Sequence, residues 1–199
     1  MRQEVDDGSE NGFYKFTAAQ LPVFAGCEVL DLGCGTGIEL EEYFMINPGA
    51  VITGIDLSKA MLGALAKKSL FKSMRLVCGS YFDIPLGIEK YDVAVSVESL
   101  HHYTEKEKLS LYRNLFRALK DGGYFILTDY FAESAALEKE YFENLAYLKK
   151  QQNITDHAFY HYDTPLLPEH EMEVLKNAGF SNVAVLKRWG ATCTLKAIR

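Results

Sequence analysis

The nine residues Val29-Leu30-Asp31-Leu32-Gly33-Cys34-Gly35-Thr36-Gly37 constrain this chain more than any other stretch. An apolar run that ends in an acid and then breaks into alternate glycines predicts a strand entering a tight turn. Glycine reaches positive φ without steric cost and admits a ligand where a Cβ would collide. From Ile38 the apolar spacing turns helical, and a helix start offers free N–H groups to whatever occupies the turn. A nucleoside-type cofactor suits such a place.

The spacing narrows the choice. Gly33, Gly35 and Gly37 read G-x-G-x-G, and Ile38 stands where the dinucleotide fingerprint G-x-G-x-x-G needs its last glycine. Glu39, Glu41 and Glu42 at the helix opening would oppose a pyrophosphate but suit the ammonium and sulfonium of S-adenosylmethionine. Asp31 through Gly37 resembles, without a gap, the first motif of the class I S-adenosylmethionine-dependent methyltransferases. The resemblance makes Asp31, Gly33, Cys34, Gly35 and Gly37 cofactor-binding residues.

Further matches follow in order. Val51-Ile52-Thr53-Gly54-Ile55-Asp56 ends in an acid 19 residues past Gly37, and a strand–helix–strand unit returns that carboxylate to the same sheet edge. Capping the next helix is the other reading of Asp56, but Ser58 is better placed for that. The resemblance assigns Asp56 to the ribose and Leu57 to the flank of the adenine. Gly79-Ser80-Tyr81-Phe82-Asp83-Ile84-Pro85 is similar to the family's adenine turn, although Ser80 stands where relatives commonly have an acid. Ser80, Tyr81 and the later Asp83 are therefore all candidates.

Ser96-Val97-Glu98-Ser99-Leu100-His101-His102-Tyr103 leaves a predicted fourth strand at the edge where open α/β sheets bind ligands. It resembles the fourth family motif, in which Val97 would touch the methionine part of the cofactor and Glu98 would lie near the methyl group. An imidazole here could act as a general base, but adjacent histidines entering a helix more often pack or cap. No catalytic residue is assigned. Glu98, His102, Tyr130, Tyr160 and Tyr162 are the candidates for an acceptor pocket, the last two from an aromatic run over residues 153–168 that could equally cover a core edge.

Helical spacing predicts a short element over Phe13–Phe24, weakened by Pro22, then Ile38–Ile46, a helix capped by Thr104 and running to Lys120, Glu133–Gln151 with the stripe Leu137, Tyr141, Leu145 and Leu148, and a last helix from Pro168 to Gly179. Strands are expected at Glu28–Asp31, Ala50–Asp56, Met74–Cys78, Tyr91–Val97, Tyr124–Thr128, Phe180–Lys187 and Ala191–Ile198, the last two forming a hairpin about Trp189-Gly190. The fold class is α/β, and the resemblance implies a three-layer Rossmann-like sheet of seven mostly parallel strands in the order 3-2-1-4-5-7-6, its last strand antiparallel. Residues 1–199 are expected to form one domain, with 1–24 as a short lead or lid and 131–168 as a substrate-side helix and aromatic insertion.

Charge bears on the acceptor. The net charge is −6, with 14 acids against 8 bases in residues 1–100 and 13 against 13 afterwards, so the excess lies in the cofactor half. No basic stripe offers itself to a phosphate backbone. A small-molecule acceptor is expected, with no nucleic acid and no membrane, since no apolar run approaches the ~18 residues of a span. Cys27, Cys34, Cys78 and Cys193 lie far apart without zinc spacing, which predicts no metal and suits a reducing cytoplasm. An exposed aromatic patch or a short lid would favour a homodimer.

The function implied is methyl transfer from S-adenosylmethionine by direct displacement, leaving S-adenosylhomocysteine. Two rivals share parts of the pattern. A regulatory protein that binds the cofactor without transfer would carry the same Asp31, glycines and Asp56, and a nicotinamide-dependent oxidoreductase would have to bind NAD despite Ile38.

Overall fold

In the computed structural model, residues 12–68, 74–155 and 161–199 are described. Strands β1 (Glu28–Leu32), β2 (Val51–Asp56), β3 (Arg75–Cys78), β4 (Tyr91–Val97), β5 (Leu119–Tyr130), β6 (Ser181–Trp189) and β7 (Thr192–Ile198) form one seven-stranded sheet in the order β3-β2-β1-β4-β5-β7-β6. The first five pair parallel, and β7 runs antiparallel to both β5 and β6. This is the expected methyltransferase order and ending.

The register places the ligand edge. Leu32 pairs with Ile55 and Asp31 with Val95, while Val97 pairs with Thr128. The carboxyl ends of β1, β2, β4 and β5 therefore finish together, and the chain leaves each of them on one side of the sheet.

Both faces of the central strands are covered, as parallel strands require. Alternation sends Leu30, Leu32, Ala94, Phe125 and Leu127 into one core and Val29, Val93, Val95, Val97 and Ile126 into the other. The first core is closed by α4 (Glu105–Ala118) and α6 (Pro168–Ala178), the second by α1 (Gly12–Ala18), α2 (Ile38–Ile46) and α3 (Lys59–Leu65). Leu111, Tyr112 and Leu115 of α4 are fully buried. Each such side chain contributes about 1.5–3 kcal/mol by leaving water.

Local chemistry sets the helix boundaries. Thr104 and Glu107 form a reciprocal capping box at α4, and the Ser58 hydroxyl accepts from Met61 N at the start of α3. Pro168 opens α6, and Gly179, at φ 118°, closes it. Helix α4 stops at Ala118 rather than Lys120, because Leu119 is drawn into β5 beside Tyr91 and the ladder resumes only at Tyr124 opposite Val93.

Two expected elements differ. The N-terminal helix ends at Ala18, well before Phe24, and leaves Val23 and Phe24 exposed. Helix α5 (Ala135–Gln151) begins at the Ser134 cap, and of its expected stripe only Leu145 is buried.

Helix α1 is nevertheless firmly seated. Phe13 and Phe16 stack edgewise on Trp189, and the Thr17 hydroxyl sits 2.5 Å from that of Thr128, which in turn lies 2.8 Å from Thr194 Oγ1.

Candidate cofactor and acceptor site

The glycine turn is held by β2. Gly33 N and Cys34 N both donate to Ile55 O, at 2.8 and 3.2 Å. Gly33 adopts φ 78°, and a Cβ built on it would stand 2.1 Å from Ser99 Oγ. No side chain fits there, so the loop after β4 rests directly on the turn. Nothing local in the sequence marks Ser99 as a residue that packs on a glycine 66 positions earlier.

Asp56 joins the two halves of this edge. Its Oδ2 accepts from Gly35 N at 2.9 Å and its Oδ1 from Ser58 N at 2.6 Å. Each oxygen keeps a second lone pair for a ligand hydroxyl. Leu57 beside it is half exposed.

Asp31 is fully buried, and among the described residues no hydrogen-bond donor is aligned with either carboxylate oxygen. Glu39, from the first turn of α2, is buried beside it. Burial, then the repulsion of Glu39, push the Asp31 carboxyl well above the usual carboxylate range, with a smaller push from Asp56. Burial raises Glu39 as well. A cation bound beside two desolvated acids would favour their charged forms. The Cys34 thiol, pressed by burial and by the same carboxylates, stays protonated.

The sites expected around the adenine divide. The Ser80 hydroxyl accepts from Phe82 N at 3.2 Å, its carbonyl accepts from Asp83 N and Ile84 N, and the Asp83 side chain is exposed. Tyr81 turns inward, its ring packed on Phe82 and Tyr103 and its hydroxyl 3.0 Å from Ser99 Oγ. Any contact it makes to a ligand comes from its backbone.

At the end of β4, Val97 is buried and Glu98 adopts φ 48°, a conformation that costs a non-glycine residue energy and turns the chain sharply. Tyr14 of α1 donates to Glu98 Oε2 at 3.0 Å, bringing the N-terminal helix over this edge.

Beyond Glu98 three segments converge. Asp129, buried at the end of β5, accepts from Leu100 N and His101 N through Oδ2, and its Oδ1 lies 2.5 Å from His101 Nδ1. Burial opposes ionisation of both groups, but their mutual attraction outweighs it, raising His101 and lowering Asp129. Thr164 N donates to the His101 carbonyl at 2.6 Å, which lays residues 161–167 against the loop. The His102 ring lies tilted between those of His101 and His161, with centroids at 4.0 and 4.3 Å, and burial with these two neighbours lowers it to about 4.

Of the acceptor-pocket candidates, Glu98, His102 and Tyr130 come together at this edge. Tyr130 stands edge-on to His101 and shares a 3.0 Å hydroxyl contact with Tyr141 of α5. Tyr162 is half-buried in the segment laid alongside, and Tyr160 lies outside the described residues. His101, Asp163 and the Asp31–Glu39 pairing were not picked out as binding groups. The expectation of no metal rests on the absence of zinc spacing among the cysteines and of a partner pattern among the histidines, and adjacent His101 and His102 with a distant Asp163 form no such sequence pattern.

The sheet order and the glycine–acid edge define a class I S-adenosylmethionine-dependent methyltransferase. Residues 30–127, just under half of the chain, match the family model described as a methyltransferase domain. An uncharacterized methyltransferase (sll0829) of Synechocystis is 31% identical over 122 residues, covering 61% of this chain and 56% of that protein. A fatty-acid O-methyltransferase of Mycolicibacterium smegmatis is 31% identical over 116 residues, 58% of this chain and 41% of that one. More distant relatives include tRNA (carboxymethyluridine(34)-5-O)-methyltransferases. These matches span only about half of the curated relatives' length. In fold, the chain superposes on human N-acetylserotonin methyltransferase in complex with its cofactor, with a TM-score of 0.70 at 22% identity over 96% of this chain and 52% of that one.

The residues present fit S-adenosylmethionine. A buried carboxylate whose oxygens meet no aligned donor suits an ammonium. No helix among the described residues is long and apolar enough to cross a membrane.

Proposed function

We propose that this chain transfers a methyl group from S-adenosylmethionine to a small-molecule acceptor by direct displacement. The observation that carries the reading is the buried, donorless carboxylate of Asp31 beside the glycine turn, with Asp56 anchored to the same turn. Bound there, the cofactor supplies a methyl carbon made electrophilic by its sulfonium. Asp31 and Glu39 hold the cofactor's ammonium, Asp56 its ribose hydroxyls, and Leu57 with the Ser80–Asp83 turn its adenine. Backbone groups at Gly33, Cys34, Gly35, Gly37 and Val97 complete the cradle.

Glu98, tied to Tyr14, closes the methyl end, with residues 1–24 acting as a short lid. His102, Tyr130 and Tyr162, and Tyr160 by sequence position, wall the acceptor space formed by residues 131–168. Alignment and exclusion of water supply most of the acceleration for such a displacement, so no proton-transfer residue is required of the chain. In this reading the whole chain is one domain, working in a reducing cytoplasm.

The acidic balance of the cofactor half and the lack of a basic stripe in the sequence favour a small molecule over tRNA. Calorimetric titration tests the pocket first. S-adenosylhomocysteine should bind in the micromolar range, binding should be lost in Asp56→Ala, and NAD should not bind. Labelled methyl from S-adenosylmethionine should then pass to the small-molecule fraction of a cell extract and not to its tRNA. Tight NAD binding would overturn the cofactor reading. Label in tRNA would overturn the acceptor class, and cofactor binding without any transfer would leave the regulatory rival standing.

A further inference from the structure

We propose that His101, His102 and Asp163 form a binding site for a first-row divalent transition-metal ion at the carboxyl edge of β4 and β5. Each residue offers one ligand atom, and the three atoms lie within 4.8 Å of one another. Asp163 Oδ1 stands 3.7 Å from His101 Nε2 and 3.0 Å from His102 Nδ1. Ligand atoms held about 2.0–2.2 Å from a tetrahedral ion are themselves separated by roughly 3.3–3.6 Å. The two observed separations straddle that spacing.

The contact between His102 and Asp163 is informative in its failure. At 3.0 Å the pair is close enough to hydrogen-bond, yet Nδ1 of His102 is enclosed and no acceptor or donor is aligned with it. A hydrogen bond needs the acceptor along the N–H direction, whereas two ligands of one ion point at a common centre and past each other.

The surroundings hold the set in place. Asp129 contacts His101 at Nδ1, which leaves Nε2 on the side of Asp163. A carboxylate behind an imidazole is the usual means of fixing the ring and tautomer of a metal-bound histidine. Asp129 Oδ2 also fixes the backbone N–H groups of Leu100 and His101, and Thr164, next to Asp163, is bonded to the His101 carbonyl through both N and Oγ1. The ligands from 101–102 and from 163 are thus tied to each other independently of any ion.

Two imidazoles and one carboxylate suit Zn²⁺, Co²⁺ or Fe²⁺ better than the harder Mg²⁺ or Ca²⁺. Three protein ligands leave a coordination position open, where an oxygen or nitrogen of a methyl acceptor could bind. That further role rests on the transfer reaction proposed above, and the metal site itself does not.

Cobalt tests the site without any acceptor. The full chain, stripped with chelator and desalted, is titrated with Co²⁺ in the visible region. Saturation at one equivalent is expected, with ligand-field bands, no thiolate charge-transfer band, and displacement by Zn²⁺. Asp163→Asn, at a half-exposed position that tolerates substitution, should weaken binding about tenfold or more, and His102→Gln should do the same. Cys78→Ser, which removes the exposed thiol, should leave the titration unchanged. Absence of bands, bands that disappear with Cys78→Ser, or an affinity unaltered in Asp163→Asn would each overturn the site.

Discussion

Tyr14 Oη donates to Glu98 Oε2 at 3.0 Å, joining the N-terminal helix to the residue on which β4 turns out of the sheet. The rest of α1 is fixed elsewhere, by Thr17 on Thr128 and by the phenylalanines on Trp189. The Tyr14 hydroxyl can therefore be removed without unseating the helix. Tyr14→Phe should keep the melting temperature nearly constant while weakening S-adenosylhomocysteine binding about 2- to 10-fold, the worth of one hydrogen bond. Equal affinity in the variant and the parent would mean that the helix does not guard the cofactor.

Asp31 and Glu39 predict a pH dependence of cofactor binding. Their pKa values are raised in the free protein, and a bound ammonium favours the charged forms. Binding therefore releases a proton, and affinity should rise with pH until the pair is ionised without ligand. Calorimetry in buffers of different ionisation enthalpy would read that release directly. In Glu39→Gln the repulsion is gone, so the release should shrink and the pH dependence flatten. Proton uptake on binding would contradict the raised pKa values of the two acids.

Lys108 Nζ lies 2.6 Å from Glu171 Oε2, and the Tyr112 hydroxyl bonds the other oxygen of the same carboxylate, all three side chains being buried between α4 and α6. Removing one charge strands the other. Glu171→Gln or Lys108→Met alone should cost about 3–5 kcal/mol in denaturant unfolding. The double variant should cost less than the sum, because no unpaired charge remains. Additive losses would show the two groups to be independent.

The cofactor half was legible because its signals are local. Asp31 to Gly37 lie in one turn, Asp56 follows at a spacing fixed by a strand–helix–strand unit, and α2 and β4 span the residues their patterns predicted. The histidine cluster was not legible as a unit. Asp163 stands 62 residues after His101 in sequence and is brought to it where Thr164 bonds the His101 carbonyl. Glu39 is one acid among three in the sequence, and helical spacing alone does not say that it, and not Glu41 or Glu42, turns onto Asp31. The α5 stripe misled for the converse reason: an apolar period marks a face that can be buried, and among the described residues only Leu145 of that stripe is.

The three threonines beneath α1 have an order as well as a position. Thr17 Oγ1 donates its one hydrogen to the Phe13 carbonyl, so toward Thr128 it can only accept. Thr128 must then spend its hydrogen on Thr17 and accept from Thr194. As long as α1 is wound and seated, every hydroxyl in the row points one way, from the antiparallel strand through the parallel one to the helix. Unwinding that single turn would release the row to run in either sense, so the docking of the N-terminal segment is registered as a dipole direction inside β7.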